Sequence, residues 1–233
     1  MRKPIACFHY LTQDLSHCTH DEQVRIACEA GVKWIQLRVK NKSFDDWLKI
    51  AQRARQITNE FNVILIINDN VNIAREINAD GVHLGQEDIS WKEARKILGD
   101  EKIIGYSTHS LEDLLAAKNF DVDYFGLGPF RFTSTKENLH AVLGSDKMKE
   151  IIQQVHLAGI TKPIIAIGGI QLDDAEEILS AGANGIAVSS AINLSNDPMD
   201  AARRFLKQIH PGYPGQTNSN KHNQKHETSH HSR

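Results

Sequence analysis

The sequence predicts a (β/α)8 barrel, on three observations. Eight short apolar runs recur along the chain, helical stretches with recognisable starts lie between them, and polar residues gather where the runs end. The runs are FHYL (Phe8–Leu11), WIQLR (Trp34–Arg38), VILIIND (Val63–Asp69), GVHLG (Gly81–Gly85), IIGYS (Ile103–Ser107), YFGLG (Tyr124–Gly128), IIAIGG (Ile164–Gly169) and GIAVSS (Gly185–Ser190). Most are continuously apolar rather than alternating, as in strands buried on both faces. A doubly wound sheet uses the same units, but the count of eight and the repeated polar ends favour the closed barrel.

The helices between the runs are marked by their starts. Thr19 with Glu22 fits a capping box, in which each residue satisfies a backbone N–H of the other, and Ser90 with Glu93 repeats the pattern before a stop at Gly99. Ser43 precedes Trp47, Leu48, Ile50, Ala51 and Ala54 at helical spacing. Ser110 opens LEDLLAAK, Leu172-Asp173-Asp174 opens AEEILSAG, and Asp197-Pro198 starts MDAARRFL with proline at the first helical position. EAGVKWIQL, NADGVHLG and SAGANGIAV each end a helix in small residues and glycine and then enter a strand.

Composition narrows the function classes. With 233 residues the chain is long enough for one barrel, which we assign to residues 1–210. A net charge of −2 points to neither nucleic acid nor an anionic membrane as partner. The longest apolar runs are too short to span a bilayer, and the N-terminus lacks the apolar core of a signal peptide. The three cysteines, Cys7, Cys18 and Cys28, form no disulfide or zinc pattern, and they fit a reducing cytoplasm. Residues 211–233 are polar, hold four of the twelve histidines and bury too little to order themselves, so a disordered tail is expected.

In a parallel barrel the chemistry lies at the carboxyl ends of the strands. Gln36, Arg38 and Lys40 alternate at the end of the second run and so share one side, where two cations invite a highly charged anion. Asp69 and Asp88 end consecutive runs. Neighbouring strands are roughly 4.8 Å apart, so the two carboxylates can share a hard cation such as Mg²⁺. Asp69 also precedes NIAREIN, where a helix cap competes with that role, and Glu87 is a competing ligand for the cation. Ser107 ends the fifth run. GPFRFTSTK leaves the sixth through Gly128 and Pro129 and offers Thr133, Thr135 and Lys136 to an anion. Gly168 and Gly169, with Ser189 and Ser190, follow runs seven and eight, where barrels commonly hold a phosphate on backbone amides. His83 reads as a core histidine with satisfied hydrogen bonds, His109 as a cap-region residue or a proton carrier, and His140 as exposed.

QLRVK, INDN, GVHLGQED, STHS, GPFRFTSTK, AIGGI and AVSSAI, in this order, closely resemble the thiamine-phosphate synthase family, over roughly Phe8 to Leu206. The resemblance implies a TIM barrel and a cytoplasmic, magnesium-dependent transferase. Such enzymes join hydroxymethylpyrimidine diphosphate to a thiazole phosphate, giving thiamine phosphate and diphosphate. It implies dissociative chemistry: diphosphate leaves the pyrimidine methylene, the electron-rich ring stabilises the cation, and the thiazole nitrogen captures it. Carried over by position, Gln36, Leu37, Arg38, Val39, Lys40 and Asn68 would meet the pyrimidine diphosphate. Asp69 and Asp88 would hold Mg²⁺, and Ser107 and Lys136 would contact the diphosphate. Thr133, Ser134, Thr135, Gly169, Ser189 and Ser190 would hold the thiazole phosphate. Arg38, Lys40, Ser107 and Lys136 would carry the catalytic charge and donor roles. Val39 stands where the family often has an acid, and Ser134 where it often has a proline. The partners implied are these small molecules, with no nucleic acid and no membrane; a homo-oligomer is compatible. The rivals are a thiazole tautomerase, which would rely on His109 for proton transfer, and a non-catalytic phosphate-ligand sensor on the same barrel.

Overall fold

The computed structural model describes residues 2–132 and 141–209. Thr133, Ser134, Thr135, Lys136 and His140, and the polar segment 211–233, lie outside the described residues. Eight parallel strands close into a barrel in sequence order: β1 (Phe8–Leu11), β2 (Trp34–Leu37), β3 (Ile64–Asn68), β4 (Gly81–Leu84), β5 (Ile103–Thr108), β6 (Tyr124–Leu127), β7 (Ile164–Ile167) and β8 (Gly185–Val188). β8 returns to β1 with Phe8 opposite Ile186 and Tyr10 opposite Val188.

The described helices are α1 (His20–Ala30), α2 (Phe44–Glu60), α3 (Val71–Glu76), α4 (Trp91–Leu98), α5 (Leu111–Ala116), α6 (Gly144–Leu157), α7 (Ala175–Ser180), α8 (Ser190–Asn193) and α9 (Pro198–Ile209). Thr19 and Glu22 form the expected reciprocal box. Ser43 and Ser110 cap α2 and α5 through their side chains. Ser90 caps α4, but the Glu93 carboxylate accepts from the Ser90 hydroxyl (2.9 Å) in place of the Ser90 backbone N–H, so only half of the expected box forms. A 3-10 turn, Leu172–Asp174, precedes α7.

The unbroken apolar runs separate into two cores once the pleat is applied. Outward residues such as Ile35, Leu37, Leu65, Ile67, Val82, Phe125 and Val188 pack beneath the helices. Inward residues, among them Leu11, Trp34, Ile66, Ile103, Tyr124 and Ile165, fill the lumen. Here His9 stacks on Trp34 at 4.3 Å, and burial holds its pKa down to about 3, so the ring is neutral.

One clamp recurs at the amino-terminal end. The residue just before β4, β6 and β8 accepts from a backbone N–H of the preceding strand: Asp80 from Leu65 (2.9 Å), Asp123 from Ile104 (2.7 Å) and Asn184 from Ile164 (2.8 Å). Each side chain replaces a ladder bond at the start of a strand, where a backbone donor would otherwise be buried unpaired. Lys3 and Arg55 pair with Asp80, and Arg2 and Arg95 with Asp123, so the acids are buried with partners. Among the described residues no helix is long and apolar enough to cross a membrane.

Candidate active site

The carboxyl end of the barrel gathers the described candidates, each placed by a local cause. Beyond Leu37, where β2 ends, side chains take the next two alternate backbone donors. Thr12 Oγ accepts the Arg38 N–H at 3.0 Å and Asp14 accepts the Lys40 N–H at 3.0 Å. Side chains of the β1 end therefore extend the ladder, and Gln36, Arg38 and Lys40 keep the common face their alternation predicts. Leu37 and Val39 fall on the other face, buried in the outer core. For these two the side chain points away from the lumen, which explains why an apolar residue is tolerated at position 39.

Asp69 sits in a sharp turn. Its φ is 65°, and the Asn70 N–H bonds the Asn68 carbonyl at 2.8 Å, closing a three-residue turn of the strained, positive-φ kind. Asn70, not Asp69, caps α3, accepting the Ile73 N–H at 3.0 Å. The helix-cap reading of Asp69 is thereby removed, and its carboxylate is left for the site, where the Lys40 ammonium bonds it. Asp88 is held by the Gly85 N–H at 2.6 Å and does not cap α4, a task taken by Ser90.

Asp69 and Asp88 lie close enough for the Asp69 charge to act on the Asp88 carboxyl. Burial pushes the Asp88 carboxyl above its ordinary range. The Gly85 N–H opposes this, the Asp69 charge adds to it, and Lys40 offsets part of the repulsion. Two carboxylates in this relation need a shared proton or a cation. Their hard oxygens suit a divalent ion such as Mg²⁺. Among the described residues no group of three His, Cys, Asp or Glu side chains converges, so further coordination would fall to water and substrate oxygens. Beside Asp69 opens a cavity of about 350 Å³, lined also by Val39, Trp47, Asn68 and Ile89.

A polar chain crosses the lumen beneath. Gln36 acts on the Tyr124 hydroxyl from one side, Tyr124 Oη lies 2.9 Å from His83 Nδ1, and His83 Nε2 lies 2.9 Å from Ser107 Oγ. In the tautomer where Tyr124 donates to Nδ1, the His83 proton sits on Nε2 and is directed to Ser107. Ser107 then keeps its own proton for a ligand above. Gly105 makes the room, because a Cβ there would lie 2.3 Å from the Tyr124 ring and 2.4 Å from His83 Nδ1. His83 is a satisfied buried histidine, as its position predicts, and it also orients Ser107.

The loop after β6 lies against β7. Phe130 and Arg131 N–H groups bond the Ile167 and Gly168 carbonyls at 2.9 and 2.8 Å. Gly168 and Gly169 have φ of 100° and 67°, and a Cβ on either would come within 2.8 Å of Pro129 or Arg131. These glycines let the loop approach. Arg131 forks onto the buried Asp174 carboxylate, and His109 Nδ1 lies 2.7 Å from the Gly128 carbonyl. A carbonyl only accepts, so His109 Nδ1 carries its proton and donates it in this bond, which ties down the loop and leaves Nδ1 unable to accept a proton. At β8, Ser189 Oγ accepts from buried Asn193 at 3.1 Å and lies near Gln13, while Ser190 opens α8.

Reading polar residues after runs two to eight left out the β1 end. Thr12, Gln13 and Asp14 follow FHYL directly, so the same rule would have found them. Tyr124 and His20 carry no such signal; only the folded register brings Tyr124 to His83 and His20 to Thr12.

Comparison with known proteins matches this geometry. A sequence model of the thiamine monophosphate synthase family matches residues 10–192. Thiamine-phosphate synthase of Bacteroides fragilis is 40% identical over 197 residues, covering 84% of this chain and 97% of that protein. Its counterpart in Flavobacterium psychrophilum is 43% identical over 186 residues, covering 80% and 90%. Among solved structures, thiamine phosphate pyrophosphorylase from Pyrococcus furiosus superimposes with a TM-score of 0.76 at 34% identity, covering 87% of this chain and 94% of its own. A geranylgeranylglyceryl phosphate synthase from Thermoplasma acidophilum, at 17% identity and a TM-score of 0.62, shares the fold alone. A match over most of a closed barrel whose carboxyl-end residues converge at one mouth has a single reading: the chain belongs to the thiamine monophosphate synthase family.

Proposed function

We propose that this protein condenses 4-amino-2-methyl-5-hydroxymethylpyrimidine diphosphate with thiazole phosphate, giving thiamine phosphate and diphosphate. The observation that carries the reading is the meeting of Asp69 and Asp88 beside Lys40, at the open end of a barrel of this family. An anion as charged as diphosphate needs cations and a metal site at one place, and this arrangement supplies both kinds of group.

Arg38 and Lys40, on one edge of β2, take the diphosphate of the pyrimidine substrate. Asp69 and Asp88 would hold Mg²⁺, whose charge would offset that of the departing diphosphate. Ser107, held by His83 at 2.9 Å, donates a hydrogen bond to a diphosphate oxygen. Gln36 and Asn68, on the lumen face just below, orient the pyrimidine ring so that its methylene faces the thiazole nitrogen. Gly169, Ser189 and Ser190 take the thiazole phosphate across the mouth. Thr133, Ser134, Thr135 and Lys136 belong to the same proposal by family position. With the bond breaking ahead of the bond forming, the chain's work is positioning and charge stabilisation, and no nucleophile–base pair is needed. We place the enzyme in the cytoplasm, in keeping with three unpaired cysteines.

Product formation tests the reading. Purified protein with both substrates and Mg²⁺ should yield thiamine phosphate by chromatography, and EDTA should abolish it. Folded protein that binds thiazole phosphate but makes no product would overturn the synthase reading in favour of a sensor.

A further inference from the structure

Buried behind the cationic edge of β2 is a hydroxyl–imidazole–carboxylate chain that the proposed reaction does not use. His20, the first residue of α1, is 6% exposed. Its Nδ1 lies 2.9 Å from Thr12 Oγ and its Nε2 lies 3.0 Å from an Asp14 carboxylate oxygen. A carboxylate only accepts, so with a neutral ring Nε2 carries the proton and Nδ1 accepts from the Thr12 hydroxyl. Thr12 is fully buried, which rules it out as a nucleophile despite the triad-like order. Its remaining lone pair faces the Arg38 N–H, and the second Asp14 oxygen faces the Lys40 N–H.

Every member of the chain thus ends on the backbone of Arg38 or Lys40. The regular ladder between β1 and β2 stops with the Thr12 N–H on the Gln36 carbonyl at 3.1 Å. Past that point these side chains are what hold the strand in register. Gln23 closes the other side of the turn, donating to the Gln13 and Cys18 carbonyls and accepting the Gln13 N–H. The β1–α1 turn is therefore braced from both sides and cannot shift without breaking several bonds.

We propose that His20, acting through Thr12 and Asp14, is a positioning residue for diphosphate recognition. It sets the backbone from which Arg38 and Lys40 project, whereas this turn meets the thiazole phosphate side through the long Gln13–Ser189 contact of 3.5 Å. The inference rests on the synthase reading for its ligand, but the brace itself can be tested without any ligand.

Two variants and three readouts decide it. In ligand-free protein, His20→Ala should speed hydrogen exchange at the Arg38 and Lys40 amides relative to those of Leu65 and Ile104. In calorimetry with inorganic pyrophosphate and Mg²⁺, it should weaken binding about tenfold, as expected when charged groups lose their alignment. Thiazole phosphate affinity should change less than twofold. Asp14→Asn keeps an acceptor for Lys40 and perturbs packing little, because the Asp14 side chain is 40% exposed. It should show the same selective loss in smaller measure, so the test survives if His20→Ala folds poorly. Equal loss of both ligands would overturn the proposal, as would faster exchange with unchanged pyrophosphate binding. A wild type that binds pyrophosphate selectively through this brace yet makes no thiamine phosphate would refute the synthase reading and leave the positioning role standing.

Discussion

Replacing Asp88 with asparagine should stabilise the metal-free protein while disabling the reaction. Two unit charges about 4 Å apart repel by roughly 4 kcal/mol at an effective dielectric constant near 20. Asp88 is partly exposed and Lys40 lies on Asp69, so solvent and the ammonium reduce this to on the order of 2 kcal/mol. Asparagine retains an oxygen for the Gly85 N–H but loses its charge assistance, which takes back about 0.5–1 kcal/mol. The net is a gain of about 1 kcal/mol, or a Tm rise of roughly 2–4 °C for a chain of this size. The sign has a pH signature. The Asp88 pKa is raised above its ordinary 3.8, so the folded state holds the proton longer than the unfolded one. Stability contributed by this group falls as pH rises through that window and stays lower above it. Thermal melts in EDTA should therefore separate variant from wild type at pH 7 and bring them together below the ordinary carboxylate range. With Mg²⁺, the wild type should gain stability and the variant little, and turnover should fall about 10²–10³-fold. A variant less stable than wild type in EDTA at pH 7, or one that keeps full turnover, would refute the reasoning.

Three further outcomes test the frame. Gly105→Ala would drive a methyl into Tyr124 and His83, costing about 1–3 kcal/mol, with a lower urea midpoint and a lower kcat as Ser107 loses its partner. Asp80 is held below the ordinary carboxylate range: burial pushes it up, but the Leu65 N–H, Lys3 and Arg55 more than offset that. Its stabilisation is present above its ordinary pKa of 3.8 and lost as pH falls through its lower folded value, so Asp80→Asn should cost about 2–3 kcal/mol at pH 7 and flatten the acid limb of urea midpoints. Arg131→Ala frees the β6 loop from Asp174 and should raise KM for thiazole phosphate several-fold while leaving KM for the pyrimidine diphosphate nearly unchanged; equal rises in both would count against the loop's one-sided role.

The barrel was legible along the chain because its causes are local. Continuous apolar runs, serine and threonine caps, and helix-ending glycines act over a few residues, and every observed strand starts within one residue of its predicted run. The alternation of Gln36, Arg38 and Lys40 was legible for the same reason, as was the candidacy of Asp69 and Asp88 at consecutive strand ends. What the linear order could not decide was which competing role each would take. Asp69 could cap a helix or face the mouth until the turn geometry gave the cap to Asn70. His109 could move a proton or tie a loop until the Gly128 carbonyl came within 2.7 Å. His20 and Tyr124 carried no signal along the chain; both are buried, and each leads to a group at the mouth, His20 through Thr12 and Asp14 in the turn before it and Tyr124 through His83 on a strand distant in sequence. Hydrophobic patterning is a property of neighbours along the chain, so sequence alone determined the barrel and its polar rim. Hydrogen-bond partners across the lumen depend on strand register and closure, so only the tertiary structure decided which polar groups hold the site and which are held by it.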